Sequence, residues 1–394
     1  MSLKTMKIAI VHDYIKEYGG AERVLEALCE LYPYAPVYTS FYQKDSLAYE
    51  KFKQRKIITS WVHRIPFFAT KLHSPLRFLA PFIWNSFDFS SYDIVITSAS
   101  WYITKGVVNG KWKMSTQGGS ASGGANGKLP IEICYCHTPP RWLYGYNTSI
   151  EWQKFWPVKL YGIVIGHFMR QYDYNTAQRV DYFIANSKET QSRIKKFYRR
   201  DSEIIYPPVE LESSKFKVQS SKLTRDYYFI VSRLVGGKGL DLAVEAANKL
   251  GIKLKIAGSS SGYSSEYKNL SERAKENIEF LGRVSDEDLV GLYSNAKAFL
   301  ALARDEDFGI TPVEAMMCGT PVIAYYGGGY KETVVDGVTG VFFKESTVES
   351  LIEAIKKFEK QKFDLEKCRK QAEKFSKERF KREIKQFVSD KIKK

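Results

Sequence analysis

Cysteines are scarce in this sequence, and long apolar runs are missing from it. The 394 residues include five cysteines, an odd number scattered at positions 29, 134, 136, 318 and 368. Cys134 and Cys136 alternate along a strand-like run and lack the spacing of a zinc knuckle, so neither a disulfide framework nor a zinc site is indicated. We therefore expect reduced thiols, as in a cytoplasmic protein.

The absence of long apolar runs argues against a membrane-spanning protein. No run reaches the roughly 20 residues of a membrane span, and the apolar run within the N-terminal MSLKTMKIAIVHD is too short for a secretory signal. Hydrophobic residues still make up 44% of the chain, which is ample for globular cores. A chain of this length exceeds one ordinary core, so we expect two domains of similar size in a soluble or peripheral protein.

Positive charge is in excess, because 60 lysines and arginines stand against 44 acidic residues and give a formal net charge of +16. Such an excess favours anionic partners, which include nucleic acids, anionic lipid surfaces and phosphorylated small molecules. Much of it lies in the lysine-rich tail from about Lys356, where a solvated helix face accounts for it. No zinc finger, aromatic RNA-binding pattern or basic zipper accompanies the charge, so we expect no nucleic-acid partner.

The apolar pattern predicts two successive α/β units with parallel sheets. In the first unit, short buried strands are predicted at 7–13, 92–98, 131–137 and 180–187. In the second unit, strands alternate with helices and are predicted at 226–234, 253–259, 278–284, 297–303 and 320–324. The Gly/Ser-rich stretch 115–128 predicts a surface loop, and the two prolines within 202–210 predict an extended linker.

Ligands of open parallel sheets bind beyond the carboxyl ends of the strands, so the residues just after each strand are candidates for a site. Gly19 and Gly20 follow the first strand at a predicted helix N-terminus, where glycine N–H groups can approach a phosphate. An ordinary turn is the competing interpretation. His137, in the stiff sequence CHTPPRW, suits proton transfer or the binding of a hydroxyl, although a purely structural histidine also fits.

Two cations follow the first strand of the second unit. Arg233 and Lys238 flank a double-glycine turn in RLVGGKG. A guanidinium and an ammonium so placed can clamp a diphosphate. Solvated surface residues are the alternative interpretation.

Two carboxylates, Glu306 and Glu314, flank a glycine turn that opens a predicted helix. Thr311 and Pro312 match the N-cap and the first position of that helix, which would make Glu314 the second half of a capping box. The following TPVIA matches a short buried strand. No structural role is evident for Glu306, and this favours a functional site.

The sequence Asp-Glu-Asp occurs twice, at 286–288 and 305–307, and is similar to the Asp-x-Asp that holds a divalent ion on a nucleotide-sugar. The first copy begins a predicted helix, where acidic side chains suit the helix dipole. The second copy shares its middle residue with Glu306. We expect neither a metal nor a cofactor, and positive side chains in place of the ion.

Taken together, these motifs resemble the GT-B fold retaining glycosyltransferases, specifically glycosyltransferase family 4, over nearly the whole chain. The most specific element is the stretch from Glu306 to Glu314. GGAERV, HTPPR, RLVGGKG, LGRVSDEDL and FSKERFKREI support it in order and spacing. The first two of these look most like the bacterial mannosyltransferase branch, which builds surface polysaccharides.

The resemblance implies a fold of two Rossmann-like domains with parallel sheets facing a cleft. It makes 1–203 the acceptor-binding domain, 204–374 the nucleotide-sugar-binding domain, and 375–394 a C-terminal helix that returns to the first domain. One departure from the family pattern is the long Gly/Ser-rich loop 115–128, which leaves the acceptor side open.

The resemblance also implies roles for individual residues. Glu306 is expected to face the hydroxyls of the transferred sugar, and Glu314 the nucleotide ribose. His137 is expected to contact the sugar near the reacting carbon. The remaining contacts are expected from the backbone at Phe308, Gly309, Ile310 and Thr311, on the sugar and diphosphate, and from the loop at Arg283 and Val284, beside the base.

The implied activity is the retaining, metal-independent transfer of a hexose, with mannose favoured, from a GDP- or UDP-sugar to a hydroxyl of a glycan or lipid-linked acceptor. A phosphorylase or a nucleotide-sugar epimerase of the same fold is the main alternative. A non-enzymatic polyanion-binding protein would explain the charge but would leave Glu306 without a role.

Residues 61–89 mix aromatic and basic side chains, with prolines at positions 66, 75 and 81. The aromatic residues are Trp61, Phe67, Phe68, Phe78, Phe82 and Trp84, and the basic residues are Arg64, Lys71 and Arg77. Burial of these aromatics in the first domain is one interpretation. The mixture favours another, which is reversible binding to the anionic inner face of the cell membrane beside the acceptor site.

Overall fold

The computed structural model describes residues 6–108, 129–146, 156–211, 224–232, 237–258 and 264–393. Their contacts divide the chain into two compact units. The first unit runs to Pro208 and resumes at Lys377, and the second runs from Val209 to Ser376. The Gly/Ser-rich stretch 115–128 lies outside the described residues.

A parallel sheet forms the centre of the first unit. Its seven strands are β1 (Ile8–His12), β2 (Val37–Thr39), β3 (Ile57–Thr59), β4 (Ile94–Ala99), β5 (Ile131–Cys136), β6 (Tyr182–Ala185) and β7 (Ser202–Ile204). They lie in the order β3-β2-β1-β4-β5-β6-β7. The central strands β1 and β4 are buried along their whole length, as expected for a parallel sheet covered on both faces.

The sequence predicts four of these strands and misses β2, β3 and β7. Each missed strand has only three residues, too few to show an apolar period. The predicted linker at 202–210 is wrong at its start, because β7 pairs in parallel with β6. The two prolines follow this strand.

The helices of the first unit up to this point are α1 (Gly20–Leu31), α2 (Leu47–Phe52), α3 (Ala80–Trp84), α4 (Trp156–Arg179) and α5 (Lys188–Tyr198). Helix α1 shows how the sequence selects them. Val24, Leu25 and Leu28 recur at helical spacing and are fully buried in the core beside β1 and β4.

The second unit contains another all-parallel sheet. Its six strands are β8 (Tyr227–Val231), β9 (Leu254–Ala257), β10 (Ile278–Gly282), β11 (Ala296–Ala301), β12 (Val322–Tyr325) and β13 (Gly340–Phe343). Their order is β10-β9-β8-β11-β12-β13. The sequence predicts the first five and misses β13.

The helices of the second unit are α6 (Leu240–Leu250), α7 (Ser264–Arg273), α8 (Asp286–Ser294), α9 (Ile310–Met317), α10 (Tyr330–Thr333), α11 (Val348–Glu359) and α12 (Leu365–Glu373). The two sheets with their helices confirm the predicted pair of Rossmann-like domains.

The C-terminal helix α13 (Lys377–Ile392) packs on the first unit. Phe380, Ile384 and Val388 enter the same core cluster as the buried face of α1. Lys377 at the start of α13 forms an ion pair with Glu30 of α1, with 2.6 Å between Nζ and Oε1. The predicted return of this helix to the first domain is confirmed.

Residues 61–89 are divided between core and surface. Phe68 and Trp84 are each 1% exposed, and the Trp84 indole donates a hydrogen bond to the Tyr102 carbonyl at 2.8 Å. The expectation that these two rings reach a membrane is therefore wrong, because they complete the core of the first unit. Phe67 and Phe82 remain exposed, at 71% and 63%.

All five cysteines are buried, and the described residues contain no disulfide. Burial raises the pKa of the Cys29, Cys134 and Cys318 thiols to about 12, so they remain protonated thiols. Among the described residues, no helix is long and apolar enough to cross a membrane.

The packing of α13 predicts a large stability effect. Phe380→Ala removes a fully buried ring and should lower the free energy of unfolding of the first unit by about 3–5 kcal/mol. All seven tryptophans precede residue 157, so urea unfolding followed by tryptophan fluorescence reports on this unit. Lys385→Ala, an exposed change on the same helix, is the control. Equal midpoints for the two variants would contradict the assignment of α13 to this core.

Candidate active site

Two predicted site residues meet at the carboxyl edge of the second sheet. Lys238 lies in the turn after β8, and Glu306 in the loop after β11. Lys238 Nζ is 2.9 Å from Glu306 Oε2. The two side chains are 27% and 21% exposed, so the pair is partly shielded yet remains accessible. Arg233, the other half of the predicted clamp, lies outside the described residues.

A glycine run after β12 holds the Glu306 loop in place. The N–H of Gly329 donates to the Glu306 carbonyl at 2.9 Å. A Cβ on Gly328, whose φ is +53°, would come within 2.1 Å of the same carbonyl oxygen. Only glycine permits this approach of two backbone segments, so the run fixes the position of Glu306.

Helix α9 begins directly after this loop, with Gly309 as its N-cap at φ +86°. The predicted capping box of Thr311, Pro312 and Glu314 is wrong, because the helix begins two residues earlier than predicted. The left-handed conformation of Gly309, which a glycine adopts without strain, lets the loop enter the helix at this point. Ile310 and Thr311 then form the first turn, whose N–H groups have no intrahelical acceptor.

The neighbouring Phe308 anchors the loop through its buried side chain. Its side chain is 3% exposed, and its ring lies 5.3 Å from the ring of Phe375. The sequence predicts backbone contacts with the sugar and diphosphate at Phe308, and a buried side chain is compatible with a role for its backbone.

Glu314 is buried on α9 and does not cap it. Its Oε2 accepts a hydrogen bond from the Tyr293 hydroxyl at 2.8 Å, and the Tyr293 carbonyl accepts one from Thr320 at 2.6 Å. Glu314 is only 2% exposed. The structure therefore ties this carboxylate to α8, and its contact with a ribose stays a prediction.

The loop after β10 contains Arg283, which is exposed, and Val284, which is half-buried. Ser285 follows as the N-cap of α8, and its Oγ accepts from the Asp288 N–H at 3.1 Å. The first Asp-Glu-Asp, 286–288, therefore opens a helix as predicted. Among the described residues, no group of three or more His, Cys, Asp or Glu side chains could hold a metal ion.

His137 lies in the first unit, directly after β5. Its Nε2 is 2.8 Å from Ser98 Oγ. Its carbonyl accepts hydrogen bonds from Asn186 Nδ2 at 2.9 Å and from the Thr190 hydroxyl at 3.1 Å. The residue is 8% exposed, so both its ring and its backbone are fixed by neighbours.

The structure joins His137 to three side chains that sequence reasoning missed: Ser98, His12 and Glu22. Ser98 Oγ is 3.0 Å from His12 Nδ1, and His12 Nε2 is 3.6 Å from Glu22 Oε1. His12 is the last residue of β1 and Ser98 is near the end of β4, so both lie within strands and not in the loops that follow them. A polar residue at the carboxyl end of a buried strand is the signal in the sequence that indicates both.

The predicted glycine turn contributes to the same cluster. The Gly19 N–H donates to Glu22 Oε2 at 2.9 Å, and Gly19 is the N-cap of α1. Gly20 is the first residue of the helix. One of the N–H groups that the sequence assigns to a phosphate thus binds Glu22, and the predicted phosphate contact remains untested.

Burial controls the protonation of His137. Burial, with a smaller contribution from nearby His12, lowers the pKa of His137 to about 3. The imidazole is therefore neutral at physiological pH. A neutral ring has one donor and one acceptor nitrogen, and so can accept a hydrogen bond from a substrate hydroxyl.

Comparison with known proteins shows what the second unit and the fold are similar to. Residues 212–386 match the family model described as "Glycosyl transferases group 1". The fold agrees with that of the Anabaena protein HepE in complex with UDP, with a TM-score of 0.68 over 98% of this chain and 100% of that chain, at 18% identity. The chain has the GT-B fold.

Two relatives of this GT-B protein are mannosyltransferases by name. The alpha-1,3/1,6-mannosyltransferase ALG2 of Mus musculus is 27% identical over 65% of this chain and 67% of its own length. A GDP-mannose-dependent phosphatidylinositol monomannoside mannosyltransferase of Corynebacterium glutamicum is 35% identical over 32% of this chain. The chain spans only 35% of the length of the latter. These matches support a glycosyltransferase enzyme.

The lowered pKa of His137 predicts a pH-dependent stability. Between pH 6.5 and about 3, the unfolded chain binds a proton that folded His137 excludes, so stability falls as the pH falls through this window. The loss approaches about 1.4 kcal/mol per pH unit. His137→Gln should therefore lose less stability than the wild type between pH 7 and pH 5.

The measurement is urea unfolding by tryptophan fluorescence at the two pH values. His167→Gln, an exposed change on α4, is the control and should follow the wild type. A His137→Gln variant with the wild-type pH dependence would show that His137 titrates normally.

Proposed function

We propose that this protein transfers a hexose, with mannose favoured, from a nucleotide diphosphate sugar to a hydroxyl of a glycan or lipid-linked acceptor, with retention of configuration and without a metal. The observation that carries the proposal is the Lys238–Glu306 pair beside the N-terminus of α9. A cation, a carboxylate and the N–H groups of the first turn of a helix suit a ligand that combines a diphosphate with a hydroxylated ring.

Each element of this cluster has a defined part in the proposed reaction. Lys238 and the first turn of α9 stabilise negative charge on the departing diphosphate. Glu306 accepts hydrogen bonds from hydroxyls of the sugar, and its pair with Lys238 orients it in the absence of donor. Glu314 contacts the ribose, and Val284 borders the base.

Retention requires attack from the face that the diphosphate leaves. The acceptor oxygen forms its bond to the anomeric carbon as the bond from that carbon to the diphosphate oxygen breaks. The acceptor proton passes to the diphosphate, so no protein base is needed for this step. His137 accepts a hydrogen bond from a sugar hydroxyl near the reacting carbon and keeps it oriented.

The relatives support mannose, and a structural neighbour supports the nucleotide diphosphate. Two relatives are mannosyltransferases by name, and one is named as GDP-mannose-dependent. HepE was solved in complex with UDP. A cation on the protein can take the place of a divalent ion at the diphosphate, which supports the metal-independent form of the reaction.

The test is a transfer assay with GDP-mannose, UDP-glucose and UDP-galactose as donors and a lipid-linked glycan as acceptor. An α-linked product from an α-linked donor would establish retention. Release of sugar 1-phosphate with inorganic phosphate as acceptor would instead identify a phosphorylase, and epimerised donor without transfer would identify an epimerase.

In the same assay, Lys238→Ala should reduce kcat by at least about 100-fold, comparable to the loss of one charge-stabilising donor. Lys249→Ala is the matched control, because this exposed lysine of the same unit forms an ion pair with the surface residue Glu349. Activity of the wild type should persist in excess EDTA. Wild-type turnover in Lys238→Ala would reject the clamp, and complete loss in EDTA would reject the metal-independent mechanism.

We also propose that the enzyme works as a peripheral protein on the cytoplasmic face of the membrane. Trp156, Leu160, Ile163 and Phe168 of α4 are all more than half exposed. The one acidic residue on this helix, Asp173, is buried in an ion pair with Lys105, so the exposed charges of α4 are all basic. Exposed apolar and basic side chains together suit an anionic lipid surface.

Helix α4 contacts the segment 61–89, and the two form one surface. The Tyr161 hydroxyl donates to the Pro75 carbonyl, and the Tyr161 ring lies 6.5 Å from that of Phe78. The exposed Phe67 has Lys71 over its ring at 5.9 Å. The surface formed by α4 and this segment would place a lipid-linked acceptor beside the first unit.

Vesicle flotation tests the membrane contact. Binding should require anionic lipid and weaken with salt. Phe67→Ser and Phe168→Ser should each weaken binding by about tenfold or more, since burial of one such ring contributes about 1.5–3 kcal/mol. Tyr34→Ser, at a residue 98% exposed elsewhere in the first unit, is the control. Equal flotation of all variants, or no binding to anionic vesicles at low salt, would exclude this surface.

A further inference from the structure

A chain of four buried side chains connects the N-terminus of α1 to His137. It runs from Glu22 to His12, to Ser98 and then to His137, with separations of 3.6, 3.0 and 2.8 Å. Their exposed fractions are 8%, 2%, 1% and 8% in that order. The far end of the chain is anchored, because the Gly19 N–H holds Glu22 Oε2 at 2.9 Å.

The protons of this chain are coupled. Ser98 carries one hydroxyl proton and lies between two imidazole nitrogens, so it can donate to only one of them and must accept from the other. Two arrangements follow for neutral rings. In one, Ser98 donates to His12 and accepts from His137 Nε2–H, which leaves His137 Nδ1 as an acceptor. In the other, Ser98 accepts from His12 Nδ1–H and donates to His137 Nε2, so His137 Nδ1 carries the proton.

Glu22 distinguishes between the two arrangements. Its Oε1 faces His12 Nε2, and an ionised carboxylate can only accept. A proton on His12 Nε2 is attracted to this oxygen, whereas a lone pair there would be repelled. His12 then keeps Nδ1 as an acceptor, and that nitrogen takes the Ser98 proton.

We propose that Glu22 is a positioning residue that sets the tautomer of His137 through His12 and Ser98, so that His137 is protonated on Nε2 and presents Nδ1 as the acceptor for a substrate hydroxyl. The consequence for sugar transfer rests on the proposed function. The tautomer itself does not, because it is a property of the free protein. The ligand class is a hydroxyl donor, as a lone pair on a neutral ring requires.

Nitrogen-15 NMR of the histidine side chains tests the proposal directly. The chain has five histidines, so one His→Gln variant for each assigns the spectrum. The spectra are recorded at pH 8, above the ordinary imidazole pKa of about 6.5. In the wild type, His12 and His137 should both show a protonated Nε2 and an unprotonated Nδ1. A protonated Nδ1 on His137, or a doubly protonated His12, would overturn the proposal.

Glu22→Gln should reverse the direction of every hydrogen bond from His12 to His137. The amide oxygen takes the place of Oε2 at the Gly19 N–H, so the amide NH₂ takes the place of Oε1 and faces His12 Nε2. A donor at this position favours a lone pair on His12 Nε2. Both histidines should then move their proton to Nδ1. An unchanged His137 in this folded variant would overturn the proposal.

The transmission of the tautomer from Glu22 through His12 and Ser98 to His137 is called the relay. Two further variants separate the relay from a general effect on structure. Glu26→Gln removes the same charge one turn further along α1, where the carboxylate binds the Tyr18 hydroxyl at 2.5 Å, and should leave both tautomers unchanged. Ser98→Ala leaves Glu22 intact, so His12 should keep Nε2–H while His137 loses its single tautomer. Reversal in Glu26→Gln, or an unaltered His137 in Ser98→Ala, would overturn the relay.

A kinetic arm distinguishes failure of this inference from failure of the proposed function. If the protein transfers sugar, Glu22→Gln should lower kcat while Glu26→Gln leaves it unchanged. A protein without transferase activity that still reverses its tautomers would reject the proposed function and retain the relay. If the protein transfers sugar but its histidine tautomers are unchanged in Glu22→Gln, the relay alone is rejected.

Discussion

Parallel pairing of every strand in the two sheets is the constraint on which the site depends. A parallel strand can follow its neighbour only after a crossover, so all the strands of one sheet end at the same edge. This brings the loops after β8, β11 and β12 together although they are far apart in sequence. Lys238, Glu306 and Gly329 are neighbours for this reason.

The Lys238–Glu306 pair at the edge of the second sheet is partly exposed. At the edge of the first sheet, by contrast, polar groups are buried and hydrogen-bonded to one another. Asp13 accepts from the N–H groups of Trp101 and Tyr102, and burial still raises the pKa of its carboxyl. Asp173 pairs with Lys105 and accepts from the Tyr144 hydroxyl at 2.6 Å. Buried polar groups are costly when unpaired, so such networks hold a single arrangement. Fixed geometry of this kind suits a residue that must orient a substrate.

The sequence was sufficient for the architecture, because long strands and helices carry clear apolar periods. β1 and β4 are examples in the first unit, and β8 and β11 in the second. It failed for β2, β3 and β7, whose three residues carry no period, and for the four-residue β13. The start of α9 was also predicted wrongly. Local capping rules favoured Thr311 as the N-cap, whereas the left-handed turn of Gly309 starts the helix earlier.

For the site, the sequence identified residues whose neighbours follow from the sheet edge, such as Lys238 and Glu306. It did not identify Ser98, because a serine within a strand carries no local signal and its importance lies in two histidines distant in sequence. It also misjudged Trp84, since an aromatic among prolines looks the same in a core and at a surface. Contacts of this kind are properties of the folded chain alone.

The position of α13 has a consequence for the order of events during synthesis. Phe380, Ile384, Phe387 and Val388 fill one core of the first unit, yet they are translated only after the whole of the second unit. Translation from Pro208 to this helix takes about 10–40 s at typical rates of elongation. During that interval the nascent first unit exposes the apolar face that α13 will cover, while the second unit has all its own strands and can fold before the first is complete. The first unit is thus translated before the second but completes its core only after the second has been synthesised.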